Sequence, residues 1–437
     1  MSHESTLTSS SDGLSLDLLT GPAMTPSGLV TSGRFFTGFV DRADITAAGL
    51  LAVADVAGTR YADFGQAQRL ANLDPVVTAG GDRLRFESMS GCNGVHARFD
   101  LLPSGLGSSE VGFGTTNVDV NQPLRTALAR VGRDEPLHVE VGADELQVSS
   151  LDATHVEAKV RLPDRWVRGL AEAAQVLAGM EPVATLDGAG ARRFVAGLPR
   201  VAPPGPELHV IPLRGGWRTA TRAVPGSIPL PGASRLRGSD RVLRFAERLT
   251  VHKHPYGSTA WVFDVPGGRL TLALSPAPFR AFTGEGTLLA LLTHPEAEQV
   301  GRRLLEVLGW SSVVDPAELA RVTGLPDDDV RAGLAWLSAS GRLGRDLDES
   351  AWFHRELPVD SDAVVRRNPR LVSAQRLVEA GRVAPGTEPG TWDVGGSRGS
   401  TYVVTEDQHC TCRWGEEHQG TRGPCKHVLA VLLQPRG

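Results

Sequence analysis

The residues whose types and spacing can do chemistry lie near the carboxyl end. Cys410 and Cys412 are followed, after twelve residues, by Cys425 and His427. Thiolate sulfur and imidazole nitrogen are donors that zinc favours, four at a time in a tetrahedron, with Zn–S about 2.3 Å and Zn–N about 2.0 Å. An ion held by four protein ligands keeps no open coordination position, so this chemistry is structural rather than hydrolytic.

Particular elements must deliver these side chains. Side chains at i and i+2 of an extended strand point to one side, and Cys410 and Cys412 follow the extended run Tyr402 to Thr405. Positions i and i+2 of a helix do not share a face. Cys425 and His427 can converge if Cys425 precedes a helix and His427 sits in its first turn, a start that Pro424 suits. The spacing predicts a hairpin clasped to a helix N-terminus. A disulfide would leave an odd cysteine, and Cys-x-Cys is poor disulfide geometry. His409 and His418 are the spare imidazoles nearby.

This pattern resembles the SWIM zinc finger, Cys-x-Cys, a variable gap, then Cys-x-His. Trp392 in the preceding strand and the ending Pro424 to Ala430 are also similar to that family. The likeness spans residues 391 to 433, about a tenth of the chain. It implies one structural Zn²⁺ in a module that binds proteins or nucleic acid, and it does not imply an enzyme. The wider arrangement resembles bacterial SWIM proteins encoded beside MoxR-type AAA ATPases and von Willebrand factor A proteins. That resemblance implies such partners in a chaperone-like complex.

The length, 437 residues, allows two to four domains. Apolar content of 41% and charge of 22% describe an ordinary soluble globular protein. No apolar run reaches about 18 residues, and the first residues lack a signal-peptide pattern. Metal-type cysteines without a disulfide framework point to the cytoplasm. Only three of 45 basic residues are lysine, a bias expected of a GC-rich bacterial genome. Net charge is −5, unevenly spread: residues 207–285 hold 11 basic and 5 acidic side chains, whereas 1–200 hold 17 and 24.

The expected fold is α+β and multidomain, with largely antiparallel sheets, a winged-helix-like segment and a small C-terminal ββα-type zinc module. Residues 1–33 read as a disordered or extended arm, 34–200 as an α+β domain and 207–285 as a basic β-rich domain. Residues 286–358 read as winged-helix-like, 359–390 as a helix and linker, and 391–437 as the zinc finger. Val201 to Pro206 is the expected linker, since its prolines cannot feed a central strand. Alternation marks hairpins over 137–148 and 259–275, and helices are expected near 44–61, 121–131, 164–180, 188–197 and 239–249.

Other motifs carry less. Asp315, Pro316 and Glu318 form a helix cap, and a helix from Asp327 to Ser338 precedes a two-stranded wing. Residues 313–358 hold five arginines against nine acids, and Asp327, Asp328 and Asp329 open the second helix. Those carboxylates suit the helix dipole but repel phosphate, which favours a structural or protein-binding unit. The nucleic-acid alternative rests on Arg235, Arg237, Arg241, Arg244 and Arg248, with His252, Lys253, His254 and Tyr256 beyond and Trp217 and Trp261 for stacking. Cys92 and His96 are the one nucleophile-like pair, read more simply as a buried thiol beside a turn. There is no P-loop, nucleophile elbow or dinucleotide fingerprint. The expected function is a zinc-binding adaptor rather than an enzyme.

Overall fold

Alternation gives the strands two faces. In Leu84–Met89, Leu84 and Phe86 oppose Arg85 and Glu87; in Val95–Leu101, Val95, Ala97 and Phe99 oppose His96, Arg98 and Asp100. Both faces are buried, so something must cover the charged one.

The computed structural model describes residues 33–61, 75–200, 207–277, 281–282, 288–360, 363–396, 399–418 and 420–434, with the backbone of four strands within 6–30. Those four pair as hairpins, β1 (Thr6–Ser10) with β2 (Gly13–Asp17) and β3 (Ala23–Thr25) with β4 (Gly28–Val30). They lie in the segment 1–33 expected to be a disordered or extended arm. Next come β5 (Arg34–Val40), α1 (Ala43–Ala57), β6 (Val76–Gly80), β7 (Leu84–Met89) and β8 (Val95–Leu101). β9 (Leu106–Val111), β10 (Phe113–Asn117), α2 (Gln122–Leu128), β11 (His138–Gly142), β12 (Glu145–Ser149) and β13 (Thr154–Ala158) follow. α3 (Asp164–Ala178), β14 (Glu181–Asp187) and α4 (Gly188–Ala196) lead to the expected linker 201–206, which lies outside the described residues.

Beyond it are β15 (Leu208–Ile211), β16 (Arg218–Ala220), β17 (Ile228–Leu230), α5 (Asp240–Leu243), β18 (Arg248–Lys253), β19 (Thr259–Val265) and β20 (Gly268–Leu274). The helix expected at 239–249 stops at Leu243, because Leu249 and Val251 alternate with polar residues and pair between β14 and β19.

The largest sheet is antiparallel, in the order β10-β6-β7-β8-β20-β19-β18-β14. β8 bonds to β20, with Asp100 opposite Arg269. Strands from 34–200 and 207–285 thus form one sheet over one apolar core, not the two separate domains expected. A second sheet runs β13-β12-β11-β5-β9. α1 shares the core of both sheets and is buried along nearly all its length, as a helix apolar on every side must be. Its Gly49 rests on Phe99, whose ring lies 2.5 Å from where a Cβ would be.

The charged face is covered from far along the chain. α6 (Leu288–Leu291), α7 (Ala297–Leu308), α8 (Pro316–Thr323) and α9 (Asp327–Ala339) lead into the hairpin β21 (Leu343–Asp346) with β22 (Ala351–His354). This hairpin lies on the sheet. Asp346 accepts from Arg85 at 3.1 Å and lies 3.3 Å from Arg98 and 3.5 Å from Arg269. The Arg85 guanidinium sits 4.1 Å from the Phe353 ring centroid, and Arg355 pairs with Glu87, which also meets His96 at 3.2 Å. Burial alone would raise the Asp346 carboxyl pKa; Arg98, Arg85 and Arg269 outweigh it and hold the carboxyl well below the ordinary range. Among the described residues no helix is long and apolar enough to cross a membrane.

Two tests follow from these buried charges. Asp346→Ala removes a buried carboxylate shared by three guanidinium groups, leaving Asp100 alone between Arg85 and Arg98, and is expected to cost about 3–5 kcal/mol in urea unfolding; a loss under about 1 kcal/mol would contradict the hub. Glu157 is buried, with Asp119 nearby, and both effects raise its carboxyl to about 7. Its folded pKa exceeds the ordinary 4.5, so the stability it contributes is complete below that value and is lost as pH rises to about 7. Glu157→Gln should flatten that decline in melting temperature, and an unchanged pH profile would refute the assignment.

Candidate metal centre

The carboxyl-terminal unit begins at α10 (Pro369–Glu379) and continues through β23 (Val383–Pro385), β24 (Thr391–Gly395), β25 (Thr401–Thr405), α11 (Arg413–His418) and α12 (Lys426–Leu432). β23-β24-β25 form a three-stranded sheet. Val394 and Val404 on its inner face pack with Ala374 and Leu377 of α10 and with Val428 and Leu429 of α12; Leu289 of α6 joins the same core. The boundary expected at 391 therefore falls inside the unit, because α10 and β23 supply part of its core.

Each sulfur is placed by a local device. The chain reverses after Thr405, and Cys410 bridges back to Val404. Gln408 takes φ 66° in that turn. Cys412 opens α11, where the Glu416 N–H donates to the Cys412 carbonyl at 3.0 Å. It is thus a helix-start residue, not the second position of a continuing strand. Gly415 lets the first turn of α11 press on the preceding backbone: a Cβ there would lie 2.0 Å from the Cys410 carbonyl oxygen. Cys425 is the N-cap of α12, and His427 lies in its first turn, as the spacing requires.

Cys410, Cys412, Cys425 and His427 are all buried, and their donor atoms lie within 4.8 Å of one another. His427 Nδ1 is 3.7 Å from Cys410 Sγ and 3.9 Å from Cys425 Sγ. Donors around tetrahedral zinc sit roughly 3.6 Å apart for sulfur–nitrogen pairs, given bonds of about 2.3 and 2.0 Å. The four residues therefore fit one structural zinc ion. The Gly415 and Val428 N–H groups donate to Cys412 and Cys425 sulfurs at 3.4 Å each, favouring thiolate. Without a cation the sulfurs compete for protons. A hydrogen bond shared by Cys410 and Cys425 pushes the Cys410 thiol up and draws Cys425 down to about 4, with His427 adding to the latter; burial raises Cys412.

His409 is exposed and His418 packs edge-on against Trp414 at 4.6 Å; neither belongs to the cluster. Arg413, adjacent to a ligand, turns to Glu417 at 2.6 Å. Sequence reasoning missed Arg370 and Trp414. Arg370 on α10 donates to the Pro424 carbonyl at 3.0 Å and stacks on Trp414 at 4.7 Å, with Arg422 5.0 Å away. They fix the loop that presents Cys425, and only the Trp-Gly pair inside the ligand gap hinted at them.

The other expected groups are dispersed. Cys92 is buried 3.5 Å from Ser90 Oγ, whereas His96 is engaged with Glu87. Arg235 is fully buried and donates to the Pro231, Gly94 and Ser275 carbonyls. Arg237 pairs with Asp240, Arg241 with Asp55 and Arg248 with Asp264. Arg244 lies over Phe245. Trp261 is buried and stacked on Phe194. His252 and His254 are buried, and Tyr256 is exposed.

Residues 393–434 match the model of the SWIM zinc finger family. No curated protein matches the chain. Proliferating Cellular Nuclear Antigen from Entamoeba histolytica is similar in structure at 9% identity and TM-score 0.36, over 56% of this chain and 99% of that one. A chain of the PCNA2–PCNA3 complex from Sulfolobus tokodaii is similar at 9% identity and TM-score 0.40, over 55% and 99%.

Zinc binding supplies on the order of 10 kcal/mol to small modules of this kind. Cys425→Ser or strong chelation should therefore release the metal and abolish amide-exchange protection across 369–434, α10 included, while β7 and β8 stay protected. Protection that persists in α10 would show that its packing is independent of the metal. Taken together, the donor geometry and the family match identify a SWIM-type zinc finger at the carboxyl end of this chain.

Proposed function

We propose that the chain is a zinc-dependent adaptor whose finger docks a partner protein and performs no catalysis. The observation that carries this reading is the closed donor set: three sulfurs and one imidazole, all buried, leave no position for substrate. The resemblance to SWIM proteins encoded with AAA ATPases and von Willebrand factor A proteins makes those the partner classes of choice. Free thiols serving as metal ligands, with no disulfide among the described residues, accord with a reducing, cytoplasmic location.

The helical unit 288–357 acts in this reading as a structural winged helix. α9 is buried from Val330 through Ala339 apart from Arg331, and Asp327, Asp328 and Asp329 open it. The hairpin that would serve as a wing is held against the sheet by Asp346 and Phe353. Neither surface is available to a DNA groove, and the acids disfavour phosphate. Arg235, Arg241 and Arg248, on which a nucleic-acid surface would rest, are engaged within the fold. Cys92 is buried beside Ser90 Oγ, and His96 is engaged with Glu87, which favours a structural thiol.

Affinity capture of the zinc-loaded chain from its host, with mass spectrometry, tests the adaptor. An AAA ATPase or von Willebrand A protein retained by the native chain and lost with Cys425→Ser is the expected result. Equal recovery with both forms would remove the finger from partner binding.

A further inference from the structure

Between residues 208 and 239 the chain holds five arginines and no acidic residue, in a protein of net charge −5. The fold uses two of them internally. Arg235 is sealed among the Pro231, Gly94 and Ser275 carbonyls, and Arg237 meets Asp240 and the Val195 carbonyl. The other three, Arg214, Arg218 and Arg222, are exposed, and their side chains make no ion pair or hydrogen bond among the described residues.

These three belong to one hairpin. β15 pairs with β16, Ile211 opposite Arg218. β16 is an edge strand of the small sheet β16-β15-β17. Arg214 lies in the connecting loop and Arg222 two residues past β16. Trp217 sits between Arg214 and Arg218, half-buried. Its indole meets Phe194 at 5.3 Å and Trp261 at 6.2 Å, edge to face in both cases. Phe194 belongs to α4, where the neighbouring Arg193 is also exposed and has no ion partner among the described residues. The hairpin is thus a positive segment with no acidic residue of its own from 208 onward, Glu207 standing just before it, and it is anchored through an aromatic residue.

We propose that this hairpin binds single-stranded nucleic acid, with Arg214, Arg218 and Arg222 on phosphates and Trp217 beneath a base. This goes beyond the finger-mediated docking above and uses different residues. Guanidinium groups without internal acids gain most from a polyanion, because each phosphate contact releases condensed counterions. Planar guanidinium also matches phosphate oxygens two at a time. A tryptophan among them favours a single strand, whose bases offer free faces; in a duplex those faces are stacked on each other.

The test uses full-length, zinc-loaded protein and a fluorescein-labelled oligothymidylate of about 16 nucleotides, read by anisotropy at several salt concentrations. A saturable rise is expected, with a log–log salt slope of about −2 for three phosphates. Arg214→Ala, Arg218→Ala and Arg222→Ala together should weaken binding about tenfold or more at low salt and bring the slope towards zero. The corresponding lysine triple should keep the slope, and circular dichroism checks that each variant is folded. Trp217→Phe should retain most binding, and Trp217→Ala should lose about tenfold through stacking. The proposal is overturned by no anisotropy rise at the lowest salt, or by a triple alanine variant that binds like the native chain. Polyglutamate or phosphatidylserine vesicles competing as well as unlabelled oligothymidylate would also overturn it. So would complete loss of binding on zinc removal, which would move the site to the finger.

Discussion

Three sulfurs and an imidazole buried within 4.8 Å of one another form a stable arrangement only around a cation. Neutral thiols there would exchange good hydration for weak, long contacts, and bare thiolates would repel. A divalent ion removes both costs and fixes the spacing. The carboxyl-terminal unit is organised by that requirement. The turn through Gln408 carries one sulfur, the start of α11 a second, and the start of α12 a third together with the imidazole. The apolar core beneath is small, too small to hold the unit without further help.

A second electrostatic constraint joins distant parts of the chain. The row Asp187, Arg248, Asp264, Arg269, Asp100, Arg85 runs opposite one another across six adjacent strands, alternating in sign at every step. Cross-strand pairs of opposite charge are favourable, but the buried end of this row needs one more negative group. Asp346 provides it from more than 240 positions further along than Arg98. The sheet and the helical unit thereby fit in one register, since a shifted hairpin would bury uncompensated guanidinium.

How much was legible follows from where the information resides. Cys410, Cys412, Cys425 and His427 could be read directly, because ligand chemistry belongs to residue type and the spacing limits the backbone. The hairpins β11–β12 and β19–β20 were equally open, with Gly142-Ala-Asp144 and Gly267 marking the turns between alternating runs. The burial of Arg235 was not. Its sequence shows a charge but not the carbonyls that receive it. The helix expected over 239–249 runs into the start of β18 because Arg241, Arg244 and Arg248 mimic helical spacing, and pairing on both edges of β18 ends it at Leu243. The expected division at 201–206 failed for a related reason: a proline-rich composition marks a linker without revealing that β8 and β20 bond across it.

X-ray absorption at the zinc edge, on the purified full-length chain with metal content measured in parallel, tests the central claim most directly. One zinc per chain is predicted, with three sulfurs at about 2.3 Å and one nitrogen at about 2.0 Å. A metal-free chain, or a shell of oxygen and nitrogen alone, would contradict it.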